Sequence, residues 1–238
     1  NGIGTRTLLA EGTINELATT TYRFEPIRFR LTGADPAWAL QLETRDPNLT
    51  GIVQLAGEPF QSAPSWTINA RLEKMDLTQL GWNSDGLEFK GSLLGRFTGK
   101  DISDLQGELQ GHSLELTRNG VPLSLQEFDL KLQQQAGYHD LRFRSNELDA
   151  DVQGRFEWNS LPNLAMQLGN RYFPSWIPPT SLAEKTDSIH FRVRTYNIED
   201  YLELLHAPVR GLSNAQLKGD YQSLTGVSSF HASIPKLQ

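Results

Sequence analysis

The chain has 238 residues, of which 38% are hydrophobic and 21% charged, with a formal net charge of −6. This composition can bury a core and excludes wholesale disorder. No cluster of Lys and Arg marks a nucleic-acid footprint. The absence of Cys excludes disulfides, thiol nucleophiles and thiolate zinc sites.

Alternation of apolar and polar residues runs through most of the chain, and a period of two means half-buried strands. In chain order it is carried by Phe29 and Leu31, Leu40 and Leu42, Leu87 and Phe89, Leu114 and Leu116, and Leu130 and Leu132. It continues through Leu148, Ala150, Val152, Gly154 and Phe156, then Ile189, Phe191 and Val193. The intervening residues are mostly Arg, Gln, Glu, Lys, Asp and Ser, which predicts antiparallel sheet with one wet and one dry face. Glycines 91, 95, 99, 107, 111, 154 and 219 fall within this pattern, where Gly marks bends, bulges or close approach of another strand.

The pattern repeats. Tyr22, Phe24, Ile27, Phe29 and Leu31 match Leu123, Leu125, Phe128, Leu130 and Leu132 at a constant shift of 101 residues. The match extends from Leu40, Leu42 and Thr44 to Leu141, Phe143 and Ser145. Both copies slip their alternation by one residue near Pro26 and Glu127, which predicts a shared bulge or bend. A second match, at a shift of 121, joins Ile68, Ala70, Leu72, Asp76, Leu77 and Leu80 to Ile189, Phe191, Val193, Asn197, Ile198 and Tyr201. The difference between the shifts places an insertion at about 161–187 in the second copy. The expected organisation is a first β-repeat unit over 1–110 and a second over 111–238, with one continuous sheet left open.

Short helices are expected at two places. Ser160, Pro162, Leu161, Leu164, Leu168 and Tyr172 have helical spacing behind a cap, and so do Asn197, Ile198, Tyr201, Leu202 and Leu205 ahead of Pro208. The insertion then reaches Tyr172, Phe173, Trp176 and Ile177, which read either as a plug over the sheet's end or as a lipid or partner contact. The first residues, Asn1 to Arg6, lack an initiator Met and a signal-peptide pattern. The alternation runs close to the last residues, and an internal segment of a longer protein is the expectation.

Catalytic and metal motifs are missing. His112, His139, His190, His206 and His231 form no i, i+2 or i, i+4 pair. His139 and Asp140 are adjacent on a strand and so face opposite sides. Asp149 and Asp151 share a strand face and could touch Ca²⁺, but a wet sheet face accounts for them as well. Gly91-Ser-Leu-Leu-Gly95 has its Ser misplaced for a nucleophile elbow and reads as a bent strand. The expectation is a protein without enzymatic activity and without cofactor or metal.

Leu141-Arg-Phe143-Arg-Ser145 followed by Leu148-Asp-Ala-Asp-Val-Gln-Gly154-Arg-Phe156 resembles the strand pairs of AsmA-like and TamB envelope proteins. Leu105 to Gly111 and Ala215 to Gly219 are similar to that family's recurring short strands, and Asn170-Arg-Tyr-Phe173 resembles TamB-like proteins of Bacteroidetes. The resemblance spans most of 22–226. It implies a mainly β fold of repeated antiparallel strands, curled into a trough or β-taco-like groove with two or three short helices. It also implies a non-catalytic periplasmic segment of an inner-membrane-anchored protein, in which a hydrophobic groove carries phospholipid toward the outer membrane during outer-membrane biogenesis.

The groove is expected to be lined by Phe24, Phe29, Leu31, Leu40 and Leu42 in the first unit. In the second it is expected to be lined by Leu125, Leu130, Leu132, Leu141, Phe143 and Phe156. The implied partners are phospholipid acyl chains and, through other parts of the full-length protein, an outer-membrane barrel of the Omp85 type; no nucleic-acid partner is expected. The alternative is a chaperone-like β-edge surface assisting β-barrel or autotransporter assembly by strand addition. A carbohydrate-binding solenoid ranks last, because the outward positions are charged or amide side chains and not aromatics.

Overall fold

A computed structural model of the chain describes residues 7–82, 86–161, 170, 188–204, 210–222 and 227–235. The fold is mainly β. Two very short strands, β2 (Leu17–Ala18) and β3 (Arg23–Phe24), pair with each other alone. The remaining thirteen form one antiparallel sheet in near-sequential order: β1 (Thr7–Ile14), β4 (Ile27–Ala34), β5 (Ala37–Asp46), β6 (Leu49–Glu58), β7 (Ser65–Asp76), β8 (Leu87–Thr98), β9 (Gln106–Arg118), β10 (Val121–Gln135), β11 (Tyr138–Ser145), β12 (Leu148–Arg155), β13 (Ser188–Thr195), β14 (Gln216–Gln222) and β15 (Val227–Ser233). β1 and β15 stand at the two ends of this order, so the sheet is not closed into a barrel. A short α-helix, α1 (Glu199–Leu204), and a 3-10 turn at Trp158–Ser160 follow, and Leu161 and Asn170 are also helical. The helix expected from Leu161 onward, and the aromatics Tyr172, Phe173 and Trp176, lie almost wholly or wholly outside the described residues.

The chain packs as two compact units, residues 1–99 with 107–129, and residues 100–106 with 130–238. The boundary expected between 110 and 111 falls inside β9. Hairpins are tight because their turn residues tolerate positive φ: Asn119 and Gly120 sit at +50° and +81°, the two-residue geometry that matches strand twist.

Matched positions of the repeat do matching work. Thr44 donates its hydroxyl to the Leu49 carbonyl at 3.0 Å, and Ser145 donates to Leu148 at 3.3 Å, each closing a hairpin. The shared slip is resolved differently in the two copies. Pro26 cannot donate to a ladder, and there the chain breaks between β3 and β4. In the second copy β10 runs through, and the slip survives as two consecutive exposed residues, Gln126 and Glu127. After β7, Asp76 accepts the amides of Thr78 and Gln79 at 3.1 and 2.9 Å and turns the chain, so that Leu80 is fully buried. The equivalent turn after β13 is held otherwise. α1 begins at Glu199, two residues beyond Asn197, and the Glu199 carboxylate accepts the amides of Gly211 and Ser213 at 3.0 Å each.

One buried carboxylate ties down the end of the first unit. Asp46 has no exposed surface. It accepts the Tyr22 hydroxyl at 2.6 Å and the amides of Glu25 and Asn48 at 2.8 Å each. A buried charge is tolerable only with such partners. These bonds hold the segment from Tyr22 to Glu25 against the β5–β6 hairpin, which seats Phe24 with Ile27 and Leu80 in a closed apolar cluster. Burial pushes the Asp46 carboxyl up, but the Tyr22 hydroxyl and the backbone amides of Glu25, Asn48 and Leu49 outweigh it and hold the group below the usual carboxylate range.

Asp46→Asn is therefore expected to destabilise the chain by about 1–3 kcal/mol, because an amide donor then faces other donors; urea unfolding measures it. Since the folded pKa lies below the unfolded value of about 3.9, the wild-type contribution is complete above that value and is lost as pH falls through the folded one. The Asn variant should lack this part of the acid limb.

Candidate functional site

Cross-strand partners share a face, so the registers of β1 and β4 to β8, and of β11 to β15, assign their side chains to one side of the sheet or the other. In the first unit one side collects Ala10, Leu31, Leu40, Leu55 and Ile68 in one row. Phe29, Leu42, Val53, Ala70 and Leu93 form the next. A third row joins Leu8, Gly33, Trp38, Gly57, Trp66 and Phe97. The opposite side carries Glu11, Arg30, Gln41, Gln54 and Asn69, with Arg28, Glu43 and Arg71 beside them.

In the second unit the same separation holds. Leu141, Val152, Phe191, Gly219 and Phe230 form one row, and Phe143, Ala150, Val193, Leu217 and Ala232 another. Their reverse side carries Asp140, Arg142, Arg144, Asp149, Asp151, His190, Arg192 and Arg194.

Each unit closes one end of its apolar side. In the first, the Phe24, Ile27 and Leu80 cluster takes up Tyr22, Leu42, Leu49 and Met75. In the second, Phe156, Trp158, Ile189 and Tyr221 are buried together, with Leu105, Leu132, Leu141, Val152 and Phe191 against them. His139 joins that cluster, its ring centroid 4.7 Å from Trp158 and 5.2 Å from Phe156. Away from the clusters most side chains of these rows are only partly buried, Ala70 being an exception. Toward the β4–β5 hairpin, Leu8 and Trp66 are exposed, and an open recess of about 600 Å³ is lined by Leu8, Gly33, Trp38 and Gly57 among others.

Aromatic rings on this side lie across glycines of the neighbouring strand. A Cβ added at Gly33 would stand 2.7 Å from the Trp38 ring, and one at Gly12 would stand 2.9 Å from Phe29. At Gly219 it would stand 2.8 Å from Phe191. Glycine thus lets a large ring lie down, and the apolar surface is floored by rings instead of spiked by them.

The expected lining residues separate into two groups. Phe29, Leu31, Leu40 and Leu42 are brought together as direct partners on the apolar side, and Leu141 and Phe143 take the corresponding places in the second unit. Leu125, Leu130 and Leu132 are half-buried on β10. Phe24 and Phe156 are not on the open rows: Phe24 sits on β3, outside the large sheet, and Phe156 lies just past the end of β12, each buried in its unit's closing cluster. Trp38, Val53, Leu55, Ile68 and Phe191 complete the surface and were not singled out by repeat matching as lining residues. Their alternation was present in the sequence, but only the pairing register assigns it to this side.

The other candidates have ordinary partners. Asp149 accepts the Tyr196 hydroxyl at 2.8 Å, and Asp151 pairs with Arg144. No group of three metal-ligating side chains occurs among the described residues. Nor is any helix among them long and apolar enough to cross a membrane. No family model, curated protein or solved structure matches the chain.

Gly33→Val should destabilise the first unit by about 1–3 kcal/mol by forcing the Trp38 ring off the strand. In a double-mutant cycle with Trp38→Ala, most of that cost should vanish, giving a coupling of roughly 1 kcal/mol or more. Additive effects would mean that the ring does not rest on Gly33.

Proposed function

We propose that this chain is a non-catalytic segment of a periplasmic protein of the TamB/AsmA kind, and that the apolar side of each unit accepts phospholipid acyl chains. The observation that carries the reading is the set of cross-strand rows, Phe29, Leu42 and Val53 foremost, that stay half-exposed beside one closed cluster. A contiguous exposed apolar patch of this kind calls for an occupant. Acyl chains need no polar recognition group, and each methylene taken from water contributes about 0.8 kcal/mol. Eight methylenes laid along one row gain roughly 6 kcal/mol, before the ordering cost of binding is subtracted. Rings resting on glycine suit such cargo, since a flat floor lets a chain slide without a barrier at each strand. In this reading the sheet curls into a trough, and the segment hands lipid along toward the outer membrane.

A second reading rests on β1. This edge strand is exposed at seven of its eight positions and contains neither Pro nor Lys, the usual guards against strand addition. It could template a nascent outer-membrane strand. Protection of β1 amides from hydrogen exchange by a peptide of alternating apolar residues would favour that role.

Native mass spectrometry of the purified chain, followed by organic extraction, tests the lipid reading. Co-purifying phospholipid is expected, with occupancy falling roughly tenfold or more in Leu42→Asp and in Phe143→Asp. Gln41→Asp, on the polar side, should retain it and controls for folding. A wild-type mass that stays lipid-free after incubation with phospholipid vesicles overturns the reading.

A further inference from the structure

We propose that the outer edge of β15 docks β4 of a second copy of this chain, so that copies join head to tail by strand exchange. In that contact β15 takes the place that β1 holds in the single chain. The contact follows from the strand order and rests on neither reading of what the apolar side or the β1 edge accepts.

The repeat assigns each strand a place. The matched segments put β4 with β10, β5 with β11 and β7 with β13. In the order of the sheet the members of each pair stand six places apart. The same step carries β1 to β9, and β9 to β15. β1 is followed by β4 and β9 by β10, so both precede a strand of one kind. β15 occupies the third such place, and among the described residues no strand follows it. The repeat calls for a strand of the β4 kind there, and a second copy carries one.

Direction and facing agree. β15 is an even number of strand-to-strand steps from β1, so in this antiparallel sheet the two run the same way, and each suits an antiparallel β4. β15 puts Phe230 and Ala232 on its apolar side and Ser229, His231 and Ser233 on the other. β4 puts Ile27, Phe29 and Leu31 on its apolar side and Arg28 and Arg30 on the other. A ladder between them sets like against like.

The strand to be displaced is lightly held. β1 is exposed at seven of its eight positions and pairs with β4 alone. Ala10, its one partly buried residue, faces Leu31. β15 contains neither Pro nor Lys, the residues that commonly guard an edge. Eight pairs of the β1 ladder give way to those of a seven-residue strand, so backbone hydrogen bonds are exchanged and few are lost. β1 keeps one advantage: Glu11 pairs with Arg30 at 3.0 Å, whereas β15 has no carboxylate. A contact between unlike edges is heterologous and generates chains or rings of copies.

The test is sedimentation velocity with amide hydrogen exchange on the full chain and on point variants. A Cβ at Gly12 would stand 2.9 Å from the Phe29 ring, so Gly12→Val loosens β1, as does Ala10→Asp by setting a charge opposite Leu31. Each should raise association roughly tenfold or more over wild type. In the assemblies, amides at 229–233 should gain protection while those of β1 lose it. In the Gly12→Val chain, His231→Glu offers a carboxylate to Arg28 or Arg30 of the second copy and should strengthen association about two- to fivefold; His231→Lys should weaken it as much. Leu9→Gln, at an exposed position on the polar side of β1, serves as control and should leave association at the wild-type level. Retained protection of β5 to β7 shows that each variant is folded. Loosened variants that stay monomeric, assemblies in which β1 amides gain protection together with those of β15, or equal association of the two His231 variants overturn the proposal.

Discussion

An antiparallel sheet with one apolar side has one constraint that everything else must obey: each strand's apolar set must face the same side as its neighbours' sets. Successive side chains alternate sides, so a slip of one residue would transfer a whole strand's Leu and Phe to the wet face. The hairpins enforce the register. Thr44 and Ser145 close theirs through side-chain hydroxyls, and Asn119-Gly120 closes another through positive φ. Where the alternation does slip, the chain either leaves the sheet, as at Glu25-Pro26, or shows two exposed residues in succession, as at Gln126-Glu127. The separation into an apolar side and a charged side follows from that enforcement.

Glycine and aromatic residues form the second level. In a closed core a large ring finds space in an opposing layer. Here the opposing space is found within the same sheet, above a neighbour that has no Cβ. Gly12 serves Phe29, Gly33 serves Trp38, and Gly219 serves Phe191. The arrangement shelters part of each ring while leaving the surface level. The closing clusters do the opposite work: Phe24, Leu80, Phe156 and Trp158 stack on the ends of their units and are buried almost completely. Each unit therefore combines a tightly packed end with a flat, partly wet apolar area.

Much of this was legible from alternation alone, since period two survives in any sheet with one wet side. The pairing of Leu40 with Leu31 and of Leu42 with Phe29 followed the pattern. The misplacement of Phe24 and Phe156 has a physical reason. Phe156 alternates in phase with Ala150 and Val152 but lies past the end of β12, and phase says nothing once the ladder stops; Phe24 lies across the slip at Pro26 from Phe29 and Leu31 and so outside their ladder. The cap after β13 was misread for a related reason. Asn197 is a plausible capping residue, yet the carboxylate of Glu199 reaches the amides of Gly211 and Ser213 across a turn that local sequence does not reveal. Asn119-Gly120 carries a hairpin signal that the reading of the alternation did not use.

Function is harder to read from such a chain because its surfaces act collectively. An apolar face that holds acyl chains needs area and continuity, and neither leaves a motif. The charge pattern on the reverse side is hidden in another way. Arg192, Lys218 and His231 are 26 and 13 residues apart in sequence and sit among ordinary alternating polar residues. No window of the sequence is basic, and the chain as a whole is acidic. Only the registers of β13 with β14 and of β14 with β15 make them neighbours, and the register of β12 with β13 sets Asp151 opposite Arg192. In a sheet of sequential hairpins, charge becomes local through pairing and not through proximity in the chain. The wet side therefore has to be read row by row, as the dry side does.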